Sequence, residues 1–403
     1  MPESWNLRLV GHNDMSGDGD CMHVNLKDGY AFVGHMGDRG TSILDVRDPS
    51  DPRLVGRIPS FPHTHGHKVQ IVDDVLLVNR EKIPRSEGPW TPGLAIYDIS
   101  RPTEPREIAF WRCGGKGVHR MTWWEPGLAW VTAGDDDYTD QFLVVLDLAD
   151  PSRPTEVGRW WLPGMATGRG ETPDWGDDWT VKLHHALVRG DRAYCSWWDK
   201  GIVILDVADP AAPTVVSHLE FGHDASRATH TAVPLPRRDL LVVTEERIPF
   251  GCVGVAPNTR IVDISDETRP RVVSTFPVPD GDFCERGGRF GPHNVHEMRP
   301  GTLSDPNTIY LTYFNAGIRV LDVSDPANPT EIAWFIPDAP AGHPAIQLND
   351  VLVGTDGLIY VTDRFAGGLY ILELESGADA ARPVPSARSA IEAAATADSP
   401  AAG

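Results

Sequence analysis

One pattern recurs along this chain and leaves little freedom for its fold. In residues 205–216 an apolar run ends in Leu205-Asp206-Val207, a turn carries Asp209-Pro210 and Pro213, and a second apolar run starts at Val215. The same order returns at 44–56, 97–109, 146–158, 262–274 and 321–333, with a degenerate copy at Tyr370-Ile371-Leu372-Glu373-Leu374. The acids that end the apolar runs (Asp45, Asp98, Asp147, Asp206, Asp263, Asp322 and Glu373) stand 49 to 59 residues apart. A fixed period of this length marks one supersecondary unit stacked many times. The turn chemistry is local: Pro presets φ, and Asp bonds the backbone two residues on.

Each unit reads as four strands, shown in the first at 23–26, 30–34, 41–46 and 52–57. Alternating Val, Ile and Tyr favour strands over helices. Four-stranded units at this spacing are blades, so the chain is expected to be an all-β, seven-bladed β-propeller. The 39 Gly and 35 Pro suit such a loop-rich chain. The seventh unit lacks an outer strand, whereas Leu7-Arg8-Leu9-Val10-Gly11 copies the outer-strand pattern Arg53-Leu54-Val55-Gly56. The N-terminal strand is therefore expected to complete the last blade and close the ring, which removes an exposed sheet edge. Residues 1–376 form one domain on this reading. The Ala-, Pro- and Ser-rich stretch 377–403 is too poor in apolar side chains to order.

The strands Ile43-Leu44-Asp45-Val46 and Ile202-Val203-Ile204-Leu205-Asp206 resemble those of the LVIVD-repeat β-propellers, over nearly all of residues 6–375. That resemblance implies the fold and is silent about activity. More loosely, 317–329 and 345–362 are similar to the selenium-binding-protein family of methanethiol oxidases, which implies metal-binding histidines on a propeller.

Placement of the histidines points to a site. His23, His67, His119, His185, His230 and His296 each stand at the start of an inner strand, and Gln347, Asn349 and Asp350 fall near that register in the seventh unit. Inner strands line the channel of a propeller, so the six are expected to converge at one end of its axis. A lone buried His is ordinarily a satisfied polar group; six in register argue for a shared task. Three or four imidazoles suffice for one ion, leaving the others to orient ligands or substrate. Neighbouring clusters are His63-Thr64-His65-Gly66-His67, His184-His185 and His293-Asn294-Val295-His296-Glu297. The expected cofactor is a divalent transition metal: copper, iron, zinc or manganese. Arg80, Glu245, Tyr313 and Asp363 share another register, directly after the second strand. There the carboxylates suit proton transfer, Tyr313 hydrogen-bond donation, and Arg80 or Arg364 an anionic group. The long insertions at 165–182 and 280–292 are expected to wall the site, with a homo-oligomer contact as the alternative.

Other readings are excluded by charge and composition. A net charge of −21 leaves no basic face for nucleic acid. No apolar run approaches 18 residues, so no membrane span is expected. Five scattered Cys (21, 113, 195, 252 and 284) without a CxxC pair read as reduced thiols, and with no visible signal peptide they suggest a cytoplasmic protein. Phosphate-loop, Gly-x-Ser-x-Gly and His-Glu-x-x-His motifs are absent. Three functions remain open. One is a metal-dependent oxidoreductase or oxygenase acting on a small polar or anionic molecule. Another is a lyase or hydrolase, with or without metal, using His and Tyr as base and acid. The third is a non-catalytic propeller scaffold.

Overall fold

The repeated Asp does the local work its position implies. Asp45, Asp98, Asp147, Asp206, Asp263 and Asp322 each accept a hydrogen bond from the backbone N–H two residues on, at 2.7–3.1 Å. Each therefore stops its strand and starts the turn into the outer strand. The computed structural model describes residues 2–37, 39–222, 228–276 and 279–375, together with the short strand Arg382–Pro383.

The strands pair antiparallel in chain order within each unit. In the first, Cys21–Lys27, Tyr30–His35, Thr41–Asp45 and Arg53–Ile58 form one sheet. Four-stranded sheets also span Leu183–Arg189 to Thr214–Leu219 and Thr229–Pro234 to Arg271–Phe276. The second and third units are joined where Gly117 pairs with Glu81. In the sixth, the inner segment holds to its sheet through a bridge between Val295 and Leu311, and Glu3–Trp5 adds to the outer strand Thr330–Ile336. The outer partner of Leu369–Leu374 is Leu7–Asn13, from the far end of the chain, with Leu7 opposite Leu374. Inner strands of successive units touch, and Leu348–Val353 of the last touches Cys21–Lys27 of the first. This is the all-β architecture of a β-propeller. Its core lies between the sheets, in side chains such as Val33, Leu44, Ile204, Val242, Ile261 and Leu311, all fully buried. Each contributes roughly 1.5–3 kcal/mol by leaving water.

The cysteine reading needs correction. Cys252 and Cys284 form a disulfide that ties the loop after Glu246 to the 280–292 insertion, while Cys21, Cys113 and Cys195 are free thiols. Spacing could not show this, because the two loops meet only through the fold. The support that five reduced thiols lent to a cytoplasmic placement goes with it. Among the described residues no helix is long and apolar enough to cross a membrane. The tail expected at 377–403 lies outside the described residues apart from Arg382–Pro383, which pairs with Thr330 and Glu331.

Deleting residues 1–13 strips the outer partner from Leu369–Leu374 and bares its edge. The truncated protein is expected to melt at lower temperature and to scatter light on heating. An unchanged melting curve would show that this pairing adds nothing to stability.

Candidate functional site

The site is created by a β-bulge that recurs at one register of the inner strand. Between paired neighbours one extra residue is inserted, and it is Met22, His119, His184, His230 or Asn349 in the respective units. In the second unit three steps from His65 to Lys68 face two from Glu81 to Asn79, which makes His67 the extra residue. In the sixth, Thr312 bonds both His293 and Asn294. A bulge frees one residue from the ladder and re-aims its side chain. Five consecutive units place a histidine there.

The result is an arc of imidazoles in contact, packed edge-on or tilted. Ring centroids run His65–His67 4.4 Å, His67–His119 5.1 Å, His119–His184 4.8 Å, His184–His230 3.7 Å and His230–His293 4.2 Å, ending on Phe314 at 4.7 Å. Of the six histidines expected in one ring, His67, His119 and His230 stand in this arc. The other three do not, for reasons of register. His185 and His23 follow the bulge by one residue and drop into the layer beneath: His185 Nε2 donates to Thr122 Oγ1 at 2.9 Å, and His23 Nδ1 accepts from Val69 N–H at 3.4 Å. His296 lies three residues past His293, pinned between Leu303 O and Val353 N–H. His184 and His293 take the arc positions instead.

The same one-residue offset applies after the second strand. Arg80, Glu245, Tyr313 and Asp363 point away from the arc, because alternate strand residues face opposite sides. Arg80 pairs with Glu107 at 3.0 Å and stacks on Phe61; Glu245 pairs with Arg260 at 2.5 Å. Tyr313 is buried in the apolar core, and Asp363 caps the N–H groups of Phe365, Ala366 and Gly367. Their successors Glu81, Glu246, Phe314 and Arg364 meet the imidazoles. Counting two residues past the polar Asn79, Thr244, Thr312 and Thr362 finds them in the sequence.

Hydrogen bonds assign the tautomers. His119 Nδ1 donates to Glu81 Oε2 at 2.8 Å, His184 Nδ1 to His230 O at 2.5 Å and His293 Nδ1 to Asn349 O at 2.6 Å, while His230 Nδ1 shares a 2.8 Å hydrogen bond with the Thr231 hydroxyl. His119, His184 and His293 therefore keep a lone pair on Nε2, and among the described residues Nε2 of His119 is buried with no hydrogen-bond partner. His67 is the reverse. Asn79, oriented by Lys68 N–H and Val118 O, donates to its Nδ1 at 3.2 Å, so the proton sits on Nε2.

Two carboxylates face the arc in different charge surroundings. Glu81 lies within 3.1 Å of His65 Nε2, 3.7 Å of His67 Nε2 and 2.8 Å of His119 Nδ1, and among the described residues it pairs with no Arg or Lys. Burial opposes its ionisation, yet His119 and His65 outweigh that and hold its pKa well below the usual carboxylate value. Glu246 stands 3.8 Å from His230 and 3.6 Å from His293, and is shared by Arg289 at 2.5 Å and Arg364 at 3.8 Å. Arg289 comes from the 280–292 insertion, so that loop does reach the site. Among the described residues two groups satisfy the spacing of a cation site: His65, His67 and Glu81, and His230, Glu246 and His293.

Beneath the arc lies a polar floor of His23, Lys68, Arg120, His185, Thr231, Asn294 and Asp350, none more than 3% exposed. Arg120 binds Glu297 and Asn294, and burial pushes the Lys68 ammonium down to about 7.

Burial, reinforced by neighbouring cations and imidazoles, holds the pKa of His67, His119, His184, His230 and His293 below the ordinary 6.5. The unfolded chain takes up protons first as pH falls through about 6.5, so stability is complete above that value and is lost below it. The limiting slope is about 1.4 kcal/mol per imidazole per pH unit. Urea midpoints measured from pH 8 to 5 are expected to drop steeply below pH 6.5. A flat profile would mean that the arc protonates without cost.

The LVIVD repeat, as a family pattern, matches residues 18–59, 138–161, 185–220 and 307–335. No curated protein matches the chain. Among solved structures, a hypothetical selenium-binding protein from Sulfolobus tokodaii is 15% identical, covers 90% of this chain and 92% of its own, and superposes with a TM-score of 0.57. The WD40 β-propeller domain of Doa1 is 11% identical over 93% and 99%, with a TM-score of 0.58. The N-terminal domain of Nup159 is 11% identical over 91% and 95%, with a TM-score of 0.55. At these identities the likeness is one of fold alone. Repeat match and sheet architecture agree: the chain carries matches to the LVIVD repeat on a β-propeller fold.

Proposed function

We propose that the chain is a metal-dependent enzyme, an oxidoreductase or oxygenase, acting on a small polar or anionic molecule at the histidine arc of a closed, seven-bladed ring. One observation carries this reading: His119, His184 and His293 are anchored through Nδ1 to acceptors, leaving Nε2 lone pairs on one arc, with His230 held by the Thr231 hydroxyl among them. Anchoring of the far ring nitrogen is how proteins orient metal-ligating histidines. The orphaned Nε2 of His119 fits the same account, since a buried acceptor left unpaired costs about 1–3 kcal/mol. Neutral imidazoles with few carboxylates suit iron or copper, and such an ion would supply electron transfer or oxygen chemistry. The resemblance to selenium-binding-protein propellers points the same way.

The chain's own residues divide the remaining work. Glu81, held ionised, orients His119 and contacts His65 through Oε2. Gln141 holds Glu81 from behind, donating to Oε1 at 2.9 Å. Arg364, whose buried Nη1 has no hydrogen-bond partner among the described residues and only a 3.8 Å approach to Glu246, suits the anionic end of the substrate, with Arg289 beside it. Arg80, Glu245, Tyr313 and Asp363 act in this scheme as positioning residues that fix the strand ends.

Elemental analysis of untagged protein is expected to find about one iron or copper per chain, matching one arc of donors. His184→Ala and His230→Ala should each lose at least about half of it, and chelation should lower the melting temperature. Metal-free protein whose melting is indifferent to chelator would sink the proposal. Stoichiometric zinc would retain the metal site and move the reaction to hydrolysis or elimination.

A further inference from the structure

The opposite face of the molecule holds a second site. Turns joining inner to second strands lie at the other end of the channel from the bulges. Three of them, around 124–127, 190–191 and 298–304, surround a cavity of about 840 Å³. The third is long, crossing to the last unit through Leu303 N–H to Val353 O and the Thr302–Gly354 bridge. Thr122 and Arg299 belong both to the cavity wall and to the polar floor beneath the histidines.

The hydrogen-bond account of this cavity is one-sided. Among the described residues Trp124 Nε1, Arg189 Nε and Arg299 Nε are all buried without a hydrogen-bond partner, and all three are donors on residues that line it. Neither arginine pairs with a carboxylate among the described residues. Arg189 reaches only the carbonyls of Glu297 and Met298, at 3.4 Å each, and Arg299 only Gln70 Oε1 and Val24 O. Arg189 is half-buried and Arg299 buried, and a desolvated cation such as Arg299 without a counter-charge is costly. The guanidinium of Arg189 lies 5.4 Å from the Trp124 ring, which with Trp130 gives the cavity an aromatic wall. Met298, whose carbonyl meets Arg189, sits at φ 53°, a strained conformation for a side chain of its size. Glu125 and Asp191 stand exposed at the rim and disfavour ligands with several negative charges.

We propose that this cavity binds a small organic oxyanion, a carboxylate or phosphate carried on an apolar or aromatic group. The anion sits against the guanidinium groups of Arg189 and Arg299 as their counter-charge, and its apolar part packs on Trp124 and Trp130. The site is separate from the histidine arc and does not depend on a metal there.

Calorimetric titration of the full-length chain with benzoate, phenyl phosphate and benzamide tests this. One saturable site is expected for at least one acid, and which acid binds more tightly identifies the natural head group. The neutral amide should bind at least about tenfold more weakly. Arg189→Met should weaken the acid about tenfold or more, and Trp124→Phe, which keeps a ring but removes the N–H, by a few-fold. Arg364→Met, at the arc, should leave the titration unchanged. Should Arg189→Met fail to fold, Trp124→Phe alone decides. Absence of saturable binding, amide binding equal to acid binding, or loss of binding in Arg364→Met with Trp124→Phe unaffected would each overturn the proposal.

Discussion

Everything at the axis depends on one irregularity of the backbone, the extra residue in each inner strand. A regular strand sends neighbouring side chains to opposite faces, so it cannot present a histidine to the channel and also keep the next residue in the layer below. The bulge removes that restriction. It lets His184 stack against His230 while His185, the adjacent residue, bonds Thr122 one layer down. Repeated around the axis, the same defect generates two polar storeys from consecutive residues.

The lower storey explains how a charged interior is tolerated. Arg120 and Glu297 neutralise each other, Asp350 accepts Val24 N–H at 3.0 Å, and Arg299 is held by Gln70 and Val24. Buried ions are stable only when paired or hydrogen-bonded, so this layer constrains how the inner strands sit against one another. It also keeps the imidazoles above it neutral, because its cations lie below rings already desolvated. Donor chemistry at the arc and rigidity of the floor are thus two effects of one arrangement.

The arc is not symmetric, and its asymmetry comes from loops. Glu81 sits among three histidines, whereas Glu246 is drawn toward Arg289 and Arg364. Arg289 arrives on an insertion tied by Cys252–Cys284 to the loop that follows Glu246. A repeated framework supplies the donors; unrepeated segments give the two sides different charge.

Residues such as Asp206 and Pro210 encode their turns locally, and this is why the repeat, its strands and the partner of the last strand could be read from the chain. Histidines at the mouth of successive inner strands were legible for the same reason. Their exact partners were not. Choosing His185 over His184, or Glu245 over Glu246, requires knowing where a strand slips by one residue, and a slip is defined only by the strand across from it. The disulfide and the cavity around Arg189 were hidden too, since each unites segments far apart in sequence. The sequence by itself determined the repeating all-β unit and that histidines gather at one end of it, because turn chemistry and alternation act within a few residues. Only the tertiary structure decided which histidines and carboxylates meet, because register is a property of paired strands.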